Sequence, residues 1–314
     1  MKGRAHLLPW LALLTIYVVW GSTYLAIRVA VQEVPPFAAA AARFAIAGLA
    51  MAAIAAWADR GKGLPTRRQL LDYSVIGMLF LGFGNGLVMW SEQRIPSGIA
   101  ALLVATVPLW ITLLDGLRPG GQPWTLRVWV GTLVGLLGVY LVARPEGGAW
   151  AGHLTGIVAL QVATVSWTMG TLYSKVVRNP LPVMSAAAVE MLAGAVVLFG
   201  ESLALREPIA AFAGASSQAY WALAYLVVFG SLIGFTAFSY CLTVFSAGTV
   251  GTYAYVNPVV AVVLGALLLG EPVTAGLLLG GALILGAVVL TTTALRASPA
   301  PARDAQPELS EAAG

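Results

Sequence analysis

The chain has 314 residues, of which 59% are hydrophobic and 10% are charged, and its formal net charge is +4. This composition is too apolar for a soluble domain of that length, and it predicts that lipid surrounds much of the chain. A single cysteine, Cys241, excludes an intramolecular disulfide and a cysteine metal cluster. No basic run is interleaved with aromatic residues outside the loops, so no nucleic-acid partner is expected.

Ten apolar stretches are long enough to form helices that cross about 30 Å of hydrocarbon, which takes about 20 residues each. Short polar or Gly/Pro segments separate them. In chain order, we predict spans at 7–29, 36–57, 70–90, 97–115, 126–143, 153–174, 182–205, 219–243, 248–269 and 274–295. The remaining segment, 297–314, is rich in Pro, Ala and acidic residues, and we expect it to be a disordered cytoplasmic tail.

The second half of the chain repeats the first at an offset of 146 to 150 residues. The matched pairs are Trp20 with Trp167, Arg28 with Lys175, Pro36 with Pro182, Gly48 with Gly194, Gly82 with Gly230, Gly86 with Gly234, Gly98 with Gly248, Pro108 with Pro258, Thr125 with Thr274 and Gly131 with Gly280. Five helices per repeat is an odd number, so the second repeat must cross the membrane in the opposite sense. We therefore predict an all-α membrane protein of two inverted five-helix repeats, residues 1–148 and 149–296.

The basic residues predict the orientation of the helices. With the N-terminus inside, twelve Lys and Arg fall in cytoplasmic segments, four fall outside and Arg43 lies within a span, which accounts for all 17. Because cytoplasmic loops carry the excess of Lys and Arg, we expect both termini in the cytoplasm. The first apolar stretch is too long for a signal peptide and lacks a small-residue cleavage site, so we expect it to remain as a helix.

An enzyme within the membrane would need a nucleophile, an acid–base pair or metal ligands close together. The two histidines, His6 and His153, lie at helix ends, and the sequence has no HExxH motif, no GxSxG motif and no acidic pair at helical spacing inside a span. We therefore expect no enzymatic activity, no cofactor and no metal. Inverted repeats are instead typical of transporters that work by alternating access.

Several motifs resemble those of a known transporter family. They are the run Trp20-Gly21-Ser22-Thr23-Tyr24, the stretch from Pro36 to Arg43-Phe44, Pro108 and Pro258, and the run Gly270-Glu271-Pro272-Val273-Thr274. Over roughly residues 10 to 295 the chain is similar to the EamA family of the drug/metabolite transporter superfamily, in particular to its YedA- and YddG-like bacterial exporters of amino acids and metabolites. The resemblance implies a basket in the bacterial inner membrane, in which helices 3, 4 and 6 face helices 8, 9 and 1 across a central cavity.

Prolines and glycines at matching positions of the repeats are candidate hinges. Pro108 lies about 16 Å and Pro258 about 15 Å into the membrane, at ~1.5 Å per residue. A proline at such a depth frees a carbonyl and bends its helix, which points to a transport site, although a packing kink is the alternative. The glycines in the third helix indicate either an irregular helix or close contact with a neighbouring helix. With their repeat mates, these glycines are Gly82, Gly86, Gly230 and Gly234.

Aromatic and amide side chains deep in the membrane are candidates for substrate binding. Trp20 and Trp167 lie about 18 Å and 21 Å from the starts of their helices, too deep for an interfacial belt. The other candidates on helices expected to line the cavity are Thr23, Asn85, Trp90, Tyr240, Tyr253 and Asn257. Core packing is the alternative for each ring, and Asn257 could satisfy a freed carbonyl as well as a substrate.

Two charged residues, Arg43 and Glu190, lie within spans, where charges are costly and indicate function. Their depths differ by roughly 8 Å, which a long arginine side chain could bridge. We therefore expect Arg43 to form a structural ion pair or to cap carbonyls, and Glu190 could instead bind a proton.

These features predict an exporter or facilitator of small metabolites, chiefly amino acids, that acts as a monomer in contact with membrane lipid. A proton antiporter for drugs or quaternary cations is the alternative, and Glu190 would be its membrane carboxylate. From other classes, a membrane scaffold predicts polar midplane residues used for packing, and a lipid-modifying enzyme predicts a catalytic cluster that the sequence lacks.

Overall fold

The computed structural model describes residues 2–61, 63–117, 124–143, 150–245, 250 and 252–297. These described residues form helices and turns and contain no strand, as expected for an all-α protein. Nearly all of the predicted disordered tail, the predicted start of the ninth span at 248 and the Gly98–Gly248 match lie outside the described residues.

The helices of the described residues fall into ten stretches along the chain, which we label α1 to α10. They are α1 Lys2–Val31, α2 Pro36–Ala58, α3 Arg67–Ser91, α4 Ser97–Gly116, α5 Leu126–Ala143, α6 Trp150–Ser174, α7 Val183–Ala204, α8 217–244, α9 Tyr253–Leu269 and α10 Ala275–Ala297. Each stretch begins and ends within five residues of a predicted span. A short 3₁₀ helix, Ile209–Gly214, lies between α7 and α8.

In the described part of the chain, six helices are both long and apolar enough to cross a membrane, namely α1, α2, α3, α4, α7 and α8. The apolar stretches of α5, α9 and α10 are shorter. Large apolar side chains such as Leu49, Val196 and Leu267 are exposed on these helices. Such exposure is unfavourable in water and favourable in lipid, so these surfaces face hydrocarbon.

Local sequence signals set several helix ends. Pro36 opens α2, where its missing N–H removes no helical hydrogen bond. Thr66 and Gln69 form a reciprocal capping box at the start of α3. Gly270 ends α9 with φ of 64°, a left-handed conformation that glycine adopts without steric cost.

Two helices contain a π-helical segment at matching positions in the chain. The segments are Met78–Asn85 in α3 and Leu226–Ile233 in α8, and they are 148 residues apart, the same offset that relates Gly82 to Gly230. The wider π turn changes the direction in which the following side chains point, and such segments are frequent at functional sites. The irregularity predicted for α3 is therefore present, and α8 repeats it.

The glycines of α3 also allow close helix contact, so both interpretations hold for this helix. A Cβ at Gly82 would lie 2.8 Å from Cγ1 of Val197, and a Cβ at Gly86 would lie 2.6 Å from Cδ2 of Leu198. Any larger residue at either position would push α3 away from α7.

The two membrane prolines have different effects on their helices. The helix of α4 is interrupted at residues 105–106, directly before Pro108, and resumes as Val107–Gly116. In contrast, α9 is a continuous helix through Pro258. The bend expected at both prolines is therefore a helix break at only the first of them.

Carboxylates in connecting segments hold the starts of distant helices. Glu207, which follows α7, accepts hydrogen bonds from the backbone N–H groups of Phe37 (3.1 Å) and Ala38 (2.8 Å) at the start of α2. Asp59, which follows α2, accepts one from Oγ of Ser185 (2.7 Å) at the start of α7. Helix N-termini have unsatisfied N–H groups and favour negative charge. The start of α2 is thus held by a residue that follows α7, and the start of α7 is held by a residue that follows α2.

A third carboxylate anchor belongs to the motif Gly270-Glu271-Pro272. Glu271, after α9, accepts hydrogen bonds from N and Oγ of Ser97 (2.8 and 2.9 Å) and from N of Gly98 (3.2 Å) at the start of α4. Gly265 makes room for this carboxylate, since a side chain there would collide with it. The motif therefore joins α9 to α4.

The helices α5 and α10 meet at a pair of glycines. A Cβ at Gly138 would lie 2.7 Å from the carbonyl oxygen of Gly280, and a Cβ at Gly280 would lie 2.7 Å from the carbonyl oxygen of Gly138. Both positions therefore require the absence of a side chain.

We predict that Gly280→Ala destabilises the protein by about 1–3 kcal/mol, because the added methyl must force α5 and α10 apart. Gly286→Ala on the same helix is the matched control, since a Cβ there meets nothing within 4 Å. The measurement is the melting temperature of each detergent-purified variant. Equal melting temperatures for the two variants would contradict the close contact.

Candidate functional site

A cavity of about 170 Å³ is lined by residues from seven helices, α1, α2, α3, α4, α6, α8 and α9. Its lining is largely apolar, with a few polar groups at defined positions. Such a combination is typical of small-molecule sites, in which apolar walls bind and a few polar groups orient the ligand. The polar side chains that line it, besides the two tryptophans, are Thr23, Tyr24, Arg43, Asn85, Thr164, Tyr253 and Asn257.

The lining residues of α1 follow the period of a helix. Trp20, Thr23, Tyr24 and Ile27 are spaced by three, four and seven residues from the first, which places them on one face. One face of α1 is therefore directed into the cavity.

Aromatic rings from three helices meet at Trp20. The ring centroid of Trp20 lies 6.5 Å from that of Trp167 and 5.3 Å from that of Tyr253, both edge-on. Its Nε1 donates to the backbone carbonyl of Gly230 (3.2 Å), and the missing side chain of Gly234 makes room for the indole. Buried indole N–H groups need such a partner. Trp20 is thus fixed by α8.

Unlike Trp20, Trp167 is held by the packing of its ring. Its ring packs against Phe80 with centroids 4.6 Å apart, and a Cβ at Gly84 would lie 3.4 Å from Cε3. Among the described residues, none accepts a hydrogen bond from its indole nitrogen. This N–H of the cavity wall can therefore serve a ligand.

Arg43 joins the two π-helical segments. Its Nε donates to Oγ of Ser231 (2.9 Å) in the segment of α8, and its Nη1 donates to Oδ1 of Asn85 (3.3 Å) at the end of the segment in α3. The guanidinium also lies over the ring of Phe44, 4.6 Å from its centroid. The side chain is 5% exposed and lines the cavity.

The expected ion pair between Arg43 and Glu190 is wrong. Arg43 contacts the neutral groups just described, and Glu190 lies on α7, where that helix approaches Gly77 of α3. Glu190 is buried but does not belong to the residues described as lining the cavity. The estimated difference in depth was short enough for an arginine to bridge, but Arg43 lines the cavity and Glu190 is not among the residues of its described wall.

Asn257 serves the backbone and also lines the cavity. Oriented by its neighbours, its amide nitrogen donates to the carbonyls of Tyr17 (3.1 Å) and Tyr253 (3.2 Å). The first of these bonds links α9 to α1. These are not the carbonyl of Ala254 that Pro258 leaves without an N–H donor, and the position of Asn257 in the wall keeps a role in substrate binding open.

The cavity brings together ten of the sixteen residues singled out in the sequence. These are Trp20, Thr23, Arg43, Asn85, Pro108, Trp167, Gly230, Tyr253, Asn257 and Pro258. Six do not belong to its described lining, namely Gly82, Gly86, Trp90, Glu190, Gly234 and Tyr240. Trp90 instead packs under the guanidinium of Arg94, 3.5 Å from its ring centroid. Tyr240 is half-buried on α8.

Two further polar residues of the wall were missed, and helical spacing could have found them. Tyr24 lies four residues after Trp20, and Thr164 lies three residues before Trp167. Residues three and four apart share a helix face, so each belongs beside a tryptophan already chosen. Phe235 also lines the wall, and no comparable signal marks it.

Comparison with known proteins identifies the family of this chain. The model of the EamA-like transporter family matches residues 8–144 and again residues 154–293. The chain belongs to the EamA-like transporter family. The resemblance drawn from the sequence motifs is therefore confirmed, and membrane transport is the general activity of this family.

Individual relatives agree with this membership. The uncharacterized inner membrane transporter YedA of Escherichia coli strain K12 is 40% identical to this EamA-like chain over 273 residues, which is 86% of each chain. A probable terminal-alkyne amino-acid exporter of Streptantibioticus cattleyicolor is 27% identical, covering 87% of this chain and 89% of its own. A solved crystal structure with 22% identity shares the fold, with a TM-score of 0.62 over 91% of this chain and 96% of the other.

Glu92 of this EamA-like chain is a buried carboxylate outside the cavity wall, directly after Ser91 at the end of α3. It is fully buried, and neither carboxylate oxygen has a hydrogen-bond partner among the described residues. Arg28 donates from Nη1 to its backbone carbonyl instead. Burial raises the pKa of Glu92 well above its usual range, the charge of Glu271 raises it further, and Arg28 partly opposes them. Glu92 should therefore hold its proton to a higher pH in the folded chain than in the unfolded chain.

We predict that Glu92→Gln removes a pH-dependent loss of stability. The unfolded chain ionises Glu92 near its ordinary pKa of about 4.3, whereas the folded chain keeps the proton. Wild-type stability therefore falls as pH rises from about 4.3 towards the raised folded pKa, and glutamine, which mimics the protonated acid, avoids this. The melting temperature of the variant minus that of the wild type should increase between pH 5 and pH 8.

Glu33→Gln is the matched control. The side chain and backbone of Ser216 donate to Glu33 and lower its pKa, so its contribution to stability is lost only below about pH 4.3, and the difference between Glu33→Gln and the wild type should stay constant between pH 5 and pH 8. If the difference in melting temperature between Glu92→Gln and the wild type stays constant over this pH range, Glu92 is ionised in the folded protein. That outcome would contradict the prediction.

Proposed function

We propose that this transporter exports small metabolites, or facilitates their passage, by alternating access across the inner membrane, with amino acids as its principal substrates. In this proposal, ten membrane helices form two inverted five-helix repeats around the cavity, and both termini are cytoplasmic. The observation that carries the proposal is the aromatic cavity at the junction of seven helices.

Pairwise packing supports inverted repeats. If α1 to α5 correspond to α6 to α10, each contact should have a counterpart with the partners exchanged. The contact of α1 with α9 matches that of α6 with α4, and the contact of α3 with α7 matches that of α8 with α2. The exchanged anchors, from Glu207 to α2 and from Asp59 to α7, follow the same rule. The twofold match of the family model agrees with it.

The composition of the wall supports amino acids as substrates. Trp20, Trp167 and Tyr253 offer ring faces and edges to an apolar side chain, and ring faces also attract an ammonium group. Asn85 and Thr164 add neutral polar groups that can orient a small zwitterion. One relative is named as a probable amino-acid exporter, which is consistent with this substrate class.

The wall does not favour a cation antiporter. Such a transporter is expected to expose a carboxylate to its cavity, and Glu190 was the candidate. None of the described residues that line this cavity is acidic. A positively charged drug would therefore meet Arg43 with no acidic residue beside it in the described wall.

The irregular backbone around the cavity supports alternating access. The break before Pro108, the proline in α9 and the glycines of both π-helical segments lie in helices that form the wall. Positions with weakened helical hydrogen bonding bend at lower cost. We propose that bending at these positions opens the cavity to either side in turn.

We predict that Trp167→Ala raises the KM for L-phenylalanine by about two- to thirtyfold, because ring contacts of about 0.5–2 kcal/mol are lost. The measurement is saturable uptake of labelled L-phenylalanine into proteoliposomes. Trp129→Ala is the matched control, since Trp129 is exposed and packs edge-on against Trp124 on the periphery. Its KM should equal that of the wild type.

The same vesicles distinguish the alternative. Uptake of tetraphenylphosphonium that requires a pH gradient, together with no uptake of amino acids, would replace amino-acid transport with proton-coupled cation export. Equal changes in KM for Trp167→Ala and Trp129→Ala would show that the substrate does not bind in the aromatic cavity.

A further inference from the structure

Arg43 is a buried positive charge whose contacts are neutral. It is 5% exposed, and its described partners are the hydroxyl of Ser231, the amide oxygen of Asn85 and the ring of Phe44. Among the described residues, no carboxylate lies within ion-pair distance of it. A charge within a membrane is costly and is ordinarily paired, so this guanidinium lacks the anion that its surroundings call for.

Most hydrogen-bond donors of this guanidinium have no acceptor in the part of the chain that the structure describes. An arginine carries five N–H donors, and Arg43 gives one from Nε to Ser231 and one from Nη1 to Asn85. The remaining donors, one on Nη1 and two on Nη2, have no acceptor among the described residues. We call these remaining donors the open edge of the guanidinium; paired N–H donors of this kind can bind a carboxylate through two parallel hydrogen bonds.

The backbone of Gly230 lies close to this edge. A Cβ at Gly230 would be 3.0 Å from Nη2 and 3.0 Å from Cγ2 of Thr23, so a side chain there would crowd the guanidinium. Arg43, Gly230 and Thr23 all line the cavity. The carbonyl of Gly230 also holds the indole of Trp20, so the open edge and the aromatic cluster are adjacent.

Arg43 is also the one charged side chain among the described residues of the wall. The cavity is therefore electropositive at one point and aromatic around it, which suits a ligand with a single carboxylate and an apolar body.

We propose that the guanidinium of Arg43 binds the carboxylate of the transported molecule, so that carboxylate-bearing substrates are selected over their amines. This proposal rests on the proposed transport function and names the substrate group that the cavity recognises. A carboxylate bound there also contacts, through Arg43, both π-helical segments at once.

A purely structural role for Arg43 makes a different prediction. If Arg43 only ties α2 to α3 and α8, its replacement changes stability and leaves the preference among ligands intact. Selectivity between matched ligands is therefore the decisive measurement.

The experiment compares three ligands that share a phenyl ring, namely 3-phenylpropanoate, L-phenylalanine and phenethylamine. Their binding to the detergent-purified full chain at pH 7 is measured by isothermal titration calorimetry. For the wild type, we expect both carboxylates to bind about ten- to a hundredfold more tightly than phenethylamine, the range for a hydrogen-bonded charge.

Asn85→Asp is the principal variant, because it places a carboxylate 3.3 Å from Nη1 in a side chain of nearly the same shape. The new ion pair should preserve the fold and compete with the ligand, so the preference for carboxylates should fall at least tenfold. Arg43→Gln should lose the preference as well. Arg94→Gln, which alters a guanidinium stacked on Trp90 outside the described wall, is the matched control and should keep it.

The outcomes separate this inference from the proposed function. Binding of 3-phenylpropanoate that depends on Arg43, without binding of L-phenylalanine, would support the inference and reject amino acids as substrates. Binding of L-phenylalanine with its preference unchanged in Asn85→Asp would keep the function and overturn the inference. Failure of both carboxylates to bind the wild type at millimolar concentration would overturn it too.

Discussion

The need to satisfy backbone hydrogen bonds without water constrains the whole molecule. In lipid, a helix meets this need internally, and irregular backbone is tolerated only where protein or an aqueous cavity surrounds it. The irregular positions described here obey this constraint, since Ala105 in the break before Pro108, Asn85 at the end of one π-helical segment and Gly230 within the other all line the cavity. The same features that would be costly against lipid create polar groups and flexibility around a substrate.

Arg43 connects this irregular backbone to the chemistry of the cavity. It bonds Asn85 and Ser231, one residue from each π-helical segment, and its free edge lies beside Gly230. An anion at this edge would neutralise the one charge of the described wall and would stiffen both segments together. In an alternating-access cycle, ligand binding can drive a change only if the ligand interacts differently with the two states. An anion bound by Arg43 would contact both π-helical segments through one side chain, and this is a physical means by which a ligand can favour one state.

Much of the fold follows from the sequence, because span length and apolar composition are properties of the chain itself. The helices of the described residues lie where the spans were predicted, and the irregularity predicted for α3 is present as a π-helical segment, whereas the matching segment in α8 was not predicted. The site was predicted less completely. Trp90 and Tyr240 were chosen because they lie on helices expected to line the cavity, and Glu190 because it is a charge within a span, yet none of the three belongs to the described wall. Tyr24 and Thr164, beside chosen tryptophans, do belong to it.

The sequence by itself determined that the chain is a helical membrane protein with a doubled pattern and a transporter family's motifs, since hydrophobic length, repeat offset and motif spacing are one-dimensional quantities. Only the tertiary structure decided that Arg43 bonds Asn85 and Ser231, and that Glu190 lies where α7 packs against Gly77 of α3. Position along a helix fixes depth in the membrane, but the partner of a side chain depends on its direction around the helix. That direction is set by packing between helices far apart in sequence, and in α3 and α8 it is altered further by the π-helical turns.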